Sequence, residues 1–361
     1  MFRYTASAHP AWIAKSCFSF WRIAVSSYRY LRENVGMTAI PHMDDTSIDA
    51  AVPWHFGEPF KEQRELVAGR GRVDLSHRGV VTVTGPDRKS WLHSITTQDF
   101  ESPVAHLTSL ILSPHGHIEH DIHVAEHNET VWISCEPGTV NDLIHYLESM
   151  KFMLRVDVAD VSEQIAVVGA PGWIESDTYP VWHSSEAFVN SSSTSDKYVA
   201  TRPADWKVSE LFVPRSELDQ VLSEETQVGT WAWEAHRIRA GVPRLNFETD
   251  HKTIPHEVGL IGSSVHLNKG CYRGQETVAR VYNLGKPPRR IVQLELDGST
   301  NELPAVGDAV LWGDKEVGRV TSVTQHYESG PLALAVIKRS VPKDAVLTAG
   351  TVSASQTVIV E

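Results

Sequence analysis

Lys269-Gly270-Cys271-Tyr272-Arg273-Gly274-Gln275-Glu276, continued by Thr277-Val278-Ala279-Arg280, is the most distinctive run in this chain of 361 residues. Its two glycines let the backbone approach a ligand closely or turn through positive φ. Between them sits one thiol, with Lys269 and Arg273 to either side, and neighbouring cations favour the thiolate. Cys17 and Cys135 lack that setting and read as small buried hydrophobes. Three cysteines without a CxxC pair argue against a disulfide framework or a Cys-rich zinc site, and make a reducing cytoplasm the default compartment.

Upstream, Trp231-Ala232-Trp233-Glu234-Ala235-His236-Arg237-Ile238-Arg239 reads as a helix that Gly241 and Pro243 stop. Glu234 and Arg237 are i, i+3 neighbours, which suits a solvated ion pair. The same residues also suit a tryptophan wall with charges beside it, built for a flat heterocycle with an anionic tail. A third cluster is His115-Gly116-His117-Ile118-Glu119-His120-Asp121-Ile122-His123. Alternation along a strand puts His117, Glu119, Asp121 and His123 on one face and Ile118, His120, Ile122 and Val124 on the other. With no second anchoring element in sight, that polar face reads as cleft lining rather than a metal site.

The remaining pattern is mixed. Gly79–Thr84, Ile118–Val124, Thr130–Ser134 and Ile165–Gly169 read as strands, and Arg88–Ile95 as a helix burying Trp91, Leu92 and Ile95. Val140, Leu143, Ile144 and Leu147 mark an amphipathic helix. The stretch 184–197 is Ser-rich and aperiodic, as a surface loop or insertion would be. Lys286-Pro287-Pro288-Arg289-Arg290 is the natural domain boundary, because proline continues neither a helix nor a central strand. Beyond it, Val292, Leu294 and Leu296 alternate with polar residues, and Gly313-Asp314 marks a hairpin. Short strands with regular turns predict a small antiparallel barrel over 286–361.

Residues 1–36 differ from the rest, with five basic residues, one acid and many serines and aromatics. That composition fits an organellar transit peptide or an unstructured extension ahead of a start at Met37 or Met43. Lys15 and Arg22 interrupt its apolar segment, so no membrane span is expected. The remaining 325 residues hold 28 basic against 44 acidic side chains, where the whole chain is −12. Such acidity argues against direct nucleic-acid binding, which needs a basic face. It leaves room for a local anion pocket among Arg237, Arg239, Lys269, Arg273 and Arg280.

Taken in order, several segments resemble the YgfZ-type folate-binding proteins, relatives of the glycine-cleavage aminomethyltransferase GcvT. They are Asp74-Leu75-Ser76-His77-Arg78-Gly79, Val83-Thr84-Gly85-Pro86-Asp87, Ile95-Thr96-Thr97-Gln98-Asp99, Arg237-Ile238-Arg239-Ala240-Gly241-Val242-Pro243, Thr253-Ile254-Pro255-His256-Glu257 and the run at 269–276. The likeness spans roughly residues 65–361. It implies an α+β, GcvT-like folate-binding fold over 45–285, followed by the small antiparallel β-barrel. It also implies tetrahydrofolate, or a one-carbon derivative of it, as the ligand. The implied role is assembly or repair of iron–sulfur clusters in client enzymes, including those that modify tRNA. In that picture Trp233, Glu234, Arg237, Lys269, Tyr272 and Arg280 contact the folate, and Cys271, facing the cleft, is the reactive group that holds iron or exchanges sulfur with a client. The protein is expected in the cytoplasm, or in an organellar matrix if residues 1–36 are a transit peptide.

Three departures bear on activity. Aminomethyltransferases carry paired acids where this chain has His120-Asp121, and a pterin-binding glutamate where it has Arg239. Some YgfZ proteins place an aromatic near position 78, where this chain has arginine. Loss of the carboxylates argues against aminomethyl transfer, which needs one to orient the pterin and move a proton. An accessory protein, a one-carbon transfer enzyme and an interaction scaffold with a vestigial pocket are the three readings that remain.

Overall fold

The computed structural model describes residues 38–102, 106–188 and 198–361. The leader, with Cys17, and most of the Ser-rich stretch lie outside the described residues.

Two five-stranded sheets pack face to face. The first holds β1 (Arg72–Asp74), β7 (Ile165–Pro171), β8 (Val181–His183), β9 (Val208–Pro214) and β10 (Gln227–Val228), in the order β10-β1-β7-β9-β8. The second holds β2 (Gly79–Thr84), β3 (His106–Leu112), β4 (Ile118–His127), β5 (Thr130–Cys135) and β6 (Asp157–Asp160), in the order β3-β4-β5-β2-β6. All their pairings are antiparallel except β1 with β10.

Period-two alternation builds the layers. On β2, Val80 faces the first sheet, while Val81 and Val83 face α2 (Arg88–Ile95) and α3 (Val140–Ser149) on the far side. Those helices bury Trp91, Leu92, Ile95, Leu143 and Leu147, the residues that the helical spacing picked out, at about 1.5–3 kcal/mol for each large apolar side chain. The short α4 (Leu218–Ser223) covers the outer face of the first sheet through Val221 and Leu222.

Two further helices border the sheets. α1 (Pro59–Val67), with proline in its first turn, packs against α5 (Thr230–Ala240). Glu62 of α1 accepts the Gly229 N–H at 2.9 Å and so holds the start of α5. Gly241 ends α5 in the left-handed region at φ 66, the C-cap expected from sequence.

After α6 (Gln275–Leu284), the chain enters a closed antiparallel barrel. Its strands are β11 (Arg289–Leu296), β12 (Ala309–Trp312), β13 (Lys315–His326), β14 (Gly330–Lys338), β15 (Leu347–Ala349) and β16 (Val352–Val358). Val292, Leu294 and Leu296 fill its interior. Its outer face is not independent of the rest, since Ile291, Leu332 and Leu334 join the main core. Gln293 donates to the Ile238 and Arg239 carbonyls at the end of α5, satisfying helix carbonyls that lack intrahelical partners. Among the described residues, no helix is long and apolar enough to cross a membrane.

Candidate functional site

A cavity lies between the two sheets. Strand alternation carries Asp121 and His123 of β4 into it, while His120 and Ile122 turn to the opposite side. Glu210 reaches it from β9, Arg78 from just before β2 and Trp233 from α5. Leu75, Trp182 and Trp206 supply apolar wall. Trp233 lies directly on the backbone of β7, for a Cβ at Gly169 would stand 3.0 Å from its ring.

Charge dominates the interior. Arg78 donates to Glu136 at 2.8 Å and to Ser134 at 2.7 Å, and approaches Glu210 at 3.7 Å. Arg244 forks onto both oxygens of Asp49 and donates to Glu136 at 2.7 Å. His123 meets Glu210 at 2.9 Å and stacks on Trp182 with centroids 3.7 Å apart. Burial alone would raise Glu210, but Arg78 and His123 outweigh it and hold the carboxyl down at about 2. At Asp121 burial outweighs the same His123 and Arg78 charges, and pushes the carboxyl up to about 6. Among the carboxyls lining the cavity, Asp49, Glu136 and Glu210 are thus held as anions by their cationic neighbours, while Asp121 is raised toward neutral pH.

Four polar atoms among the cavity-lining residues are buried without a hydrogen-bond partner among the described residues: Asp121 Oδ1, Glu210 Oε2, His77 Nδ1 and Thr108 Oγ1. Orphaned acceptors in a closed site call for a ligand or water that donates to them. Two carboxyl oxygens beside an indole wall fit the donor edge of a reduced pterin. The space is tighter than the chemistry: about 50 Å³ admits only a few waters, whereas small-molecule pockets usually begin near about 300 Å³. A pterin-sized ring enters only as lining side chains give way.

The residues singled out from sequence divide into two groups. Trp233, Glu234 and Arg237 line the cavity. Arg237 is already spent, since its nitrogens reach Glu234, Glu248, the Val242 carbonyl and Ser322 of the barrel, all at 3.0 Å or less. It ties α5 to the barrel rather than waiting for an anionic tail. Lys269, Cys271, Tyr272 and Arg280 do not line the cavity. The Lys269 ammonium caps the end of α2, donating to the carbonyls of His93, Thr96 and Gln98. Tyr272 is buried in the main core, and Arg280 and Cys271 are exposed. Arg273 pairs with Glu119 at 2.9 Å. The expectation that Cys271 faces the folate cleft is thus corrected, because its loop turns outward beside α2. Cys135 is buried as expected, and burial raises its thiol to about 11.

Two of the departures noted in sequence also change meaning. His120 replaces an acid on the face of β4 away from the cavity, while Asp121, on the cavity side, is an acid. Arg239 sits on another face of α5 and opens onto a different cleft. On the cavity side a carboxylate comes from Glu210 on β9. Asp49, His77, Glu136 and Arg244 were not foreseen, nor was Glu210, although a lone glutamate in the apolar run Val208–Pro214 is itself a signal. Among the described residues, no three His, Cys, Asp or Glu side chains converge to hold a metal ion.

Residues 9–172 match the family model described as the GCVT N-terminal domain. A chloroplastic protein of Arabidopsis thaliana that carries a transferase designation is 26% identical over 74% of this chain, which spans 65% of that relative's length. The tRNA-modifying protein YgfZ of Aliivibrio fischeri is 24% identical, covering 75% of this chain and 86% of its own. The mitochondrial iron–sulfur cluster assembly factor IBA57 homolog of Mycosarcoma maydis is 25% identical, over 61% of this chain and 56% of its own. The crystal structure of the glycine cleavage system aminomethyltransferase T from Bartonella henselae superposes with a TM-score of 0.71 at 16% identity, covering 92% of this chain and 95% of that one. That likeness establishes a shared fold.

Proposed function

Since the chain is a YgfZ-type member of the GcvT superfamily, we propose that it is a folate-binding accessory factor for iron–sulfur enzymes, including those that modify tRNA. Its relatives' names support the iron–sulfur and tRNA side of this reading. The single observation that carries the folate side is the pair of orphaned carboxyl oxygens, Asp121 Oδ1 and Glu210 Oε2, facing a tryptophan-walled cavity. Residues 45–285 form the folate-type unit and 286–361 the barrel docked on it. Asp121 and Glu210 hold the donor edge of tetrahydrofolate or a one-carbon derivative, and Trp233 packs on its ring. Cys271, outside the cavity, meets the client's cluster at the surface. The factor works on protein clients in the cytoplasm and does not bind nucleic acid directly.

Tryptophan emission titrated with tetrahydrofolate and its formyl derivative tests the folate half. Saturable quenching is expected, weakened about tenfold or more in Trp233→Ala and in Glu210→Gln. No quenching at saturating ligand removes folate from the proposal. Complementation of a deletion strain tests the other half: Cys271→Ser is expected to leave iron–sulfur enzyme activity low, and full restoration would take the thiol out of the function.

One observation favours a second reading, one-carbon transfer on the bound folate. Asp121, raised to about 6 inside the cavity, has the proton affinity that a general acid needs at neutral pH. Turnover of an aminomethyl-loaded carrier, abolished by Asp121→Asn, would establish it.

A further inference from the structure

A second cleft, of about 400 Å³, opens on a different face of α5 from the central cavity. It forms where α1, the end of β7, the loop before β9 and the turn after β13 meet that helix. Its inner donors come from separate elements. Arg239 of α5 gives one N–H to the Pro203 carbonyl at 3.0 Å, and its guanidinium has no carboxylate partner among the described residues. His326 is buried at the end of β13, where its Nδ1 accepts the backbone N–H groups of Glu328 at 3.3 Å and Ser329 at 3.0 Å. Those contacts put its proton on Nε2, which is left as a donor. His236 lies beside them on α5, against Trp206, and has no hydrogen-bond partner among the described residues.

The mouth carries a second cation without a carboxylate partner among the described residues. Lys207 is exposed, with its ammonium 4.4 Å from the Trp173 ring centroid. The two acids of the lining, Asp205 and Glu328, are exposed and pair with neither Lys207 nor Arg239. In a chain of net charge −12, whose Arg78, Arg237, Arg244 and Arg289 are all engaged with carboxylates, this is a distinct arrangement. Converging N–H donors without a carboxylate partner among the described residues, around a space of ligand size, fit an anion with several oxygens.

We propose that this cleft binds a small oxyanion, a phosphate or a carboxylate group, held by Arg239 and His326 with Lys207 at its mouth. The proposal is independent of whether the central cavity takes folate.

Calorimetric titration of the full chain with inorganic phosphate and, separately, acetate, at an ionic strength fixed with sodium chloride, tests it. Saturable heat is expected with at least one of the two, and the tighter probe tells a phosphate-bearing ligand from a carboxylate. Affinity is expected to fall about tenfold in Arg239→Gln and about threefold in Lys207→Gln, and to stay unchanged in the distant barrel variant Lys338→Gln. No saturable heat above the chloride background with either anion overturns the proposal, as does undiminished affinity in Arg239→Gln. Should that variant fail to fold, the exposed Lys207→Glu carries the test, and unchanged affinity there is equally fatal.

Discussion

Arg244 and Asp49 meet in a fork, with Nη1 to Oδ2 at 2.8 Å and Nη2 to Oδ1 at 2.7 Å, although 195 positions separate them. Both side chains are buried beside the central cavity. The fork fastens the segment before α1 to the loop after α5, and Asp49 also takes His77 at 2.8 Å. Two parallel charge-assisted bonds fix geometry as well as sign. The cavity wall is thus held by segments from both ends of the two-sheet unit.

Asp49→Asn should cost about 1.5–3 kcal/mol, since it takes the forked carboxylate from the buried Arg244 and leaves Glu136 and Glu234 to balance that charge. Urea unfolding should show a lower midpoint at unchanged slope, and a midpoint equal to wild type would refute the role. Burial pushes Asp49 up, but Arg244 and His77 outweigh it and hold the carboxyl well below its ordinary 3.8. The stability it supplies is therefore complete above that ordinary value and is lost as the pH falls below it.

Asp121 has the opposite sign. Its pKa is about 6 when folded against an ordinary 3.8, so the folded state binds the extra proton between those values. Stability from this group is present below pH 3.8 and is lost as pH rises through about 6, by up to about 3 kcal/mol. Asp121→Asn should remove that loss. Comparing urea stabilities of the two proteins at pH 5 and pH 7.5 should show wild type losing more than the variant, and parallel losses would contradict the buried carboxyl.

How much of this was legible depended on the range of the interaction. The alternation at Ile118–Val124 correctly separated Asp121 from His120, the helices at 88–95 and 140–149 followed from helical spacing, and the barrel followed from alternation together with its turn signals. The same alternation already implied that a change at 120 lies on the wrong face to disable a site containing 121. The Arg244–Asp49 fork had no local sign, because neither residue's neighbours encode a partner 195 positions away. Lys269 was misread for a related reason. Its position beside a thiol suggested an electrostatic role, but the nearest unsatisfied groups were the carbonyls ending α2, which lie 170 or more positions upstream.

The two described thiols should differ sharply in reactivity. Cys271 is exposed, whereas Cys135 is buried with its thiol raised to about 11. In a Cys17→Ser background, a maleimide at pH 7.5 should label Cys271 within minutes and Cys135 only on unfolding. Peptide mass spectrometry separates the two sites. Equal labelling rates in the native protein would contradict the placement of both loops.

The two glycines of the signature should not be equivalent. Gly274 has φ 83 and starts α6, and a Cβ there would stand 2.6 Å from the Ser113 carbonyl oxygen and 3.0 Å from the Gly116 Cα. Both obstacles are backbone of the β3–β4 hairpin, which cannot swing aside as a flexible side chain does. A left-handed backbone adds about 1–2 kcal/mol for any residue with a Cβ. Gly274→Ala should therefore lose at least about 2 kcal/mol, strain and clash together. At Gly270, by contrast, the nearest atom to an added Cβ is His93 Nε2 at 3.7 Å, an ordinary contact. Gly270→Ala should stay within about 0.5 kcal/mol of wild type. Thermal unfolding of the pair checks the contrast. If both variants melt with wild type, the glycine at 274 is not holding the Cys271 loop against the hairpin.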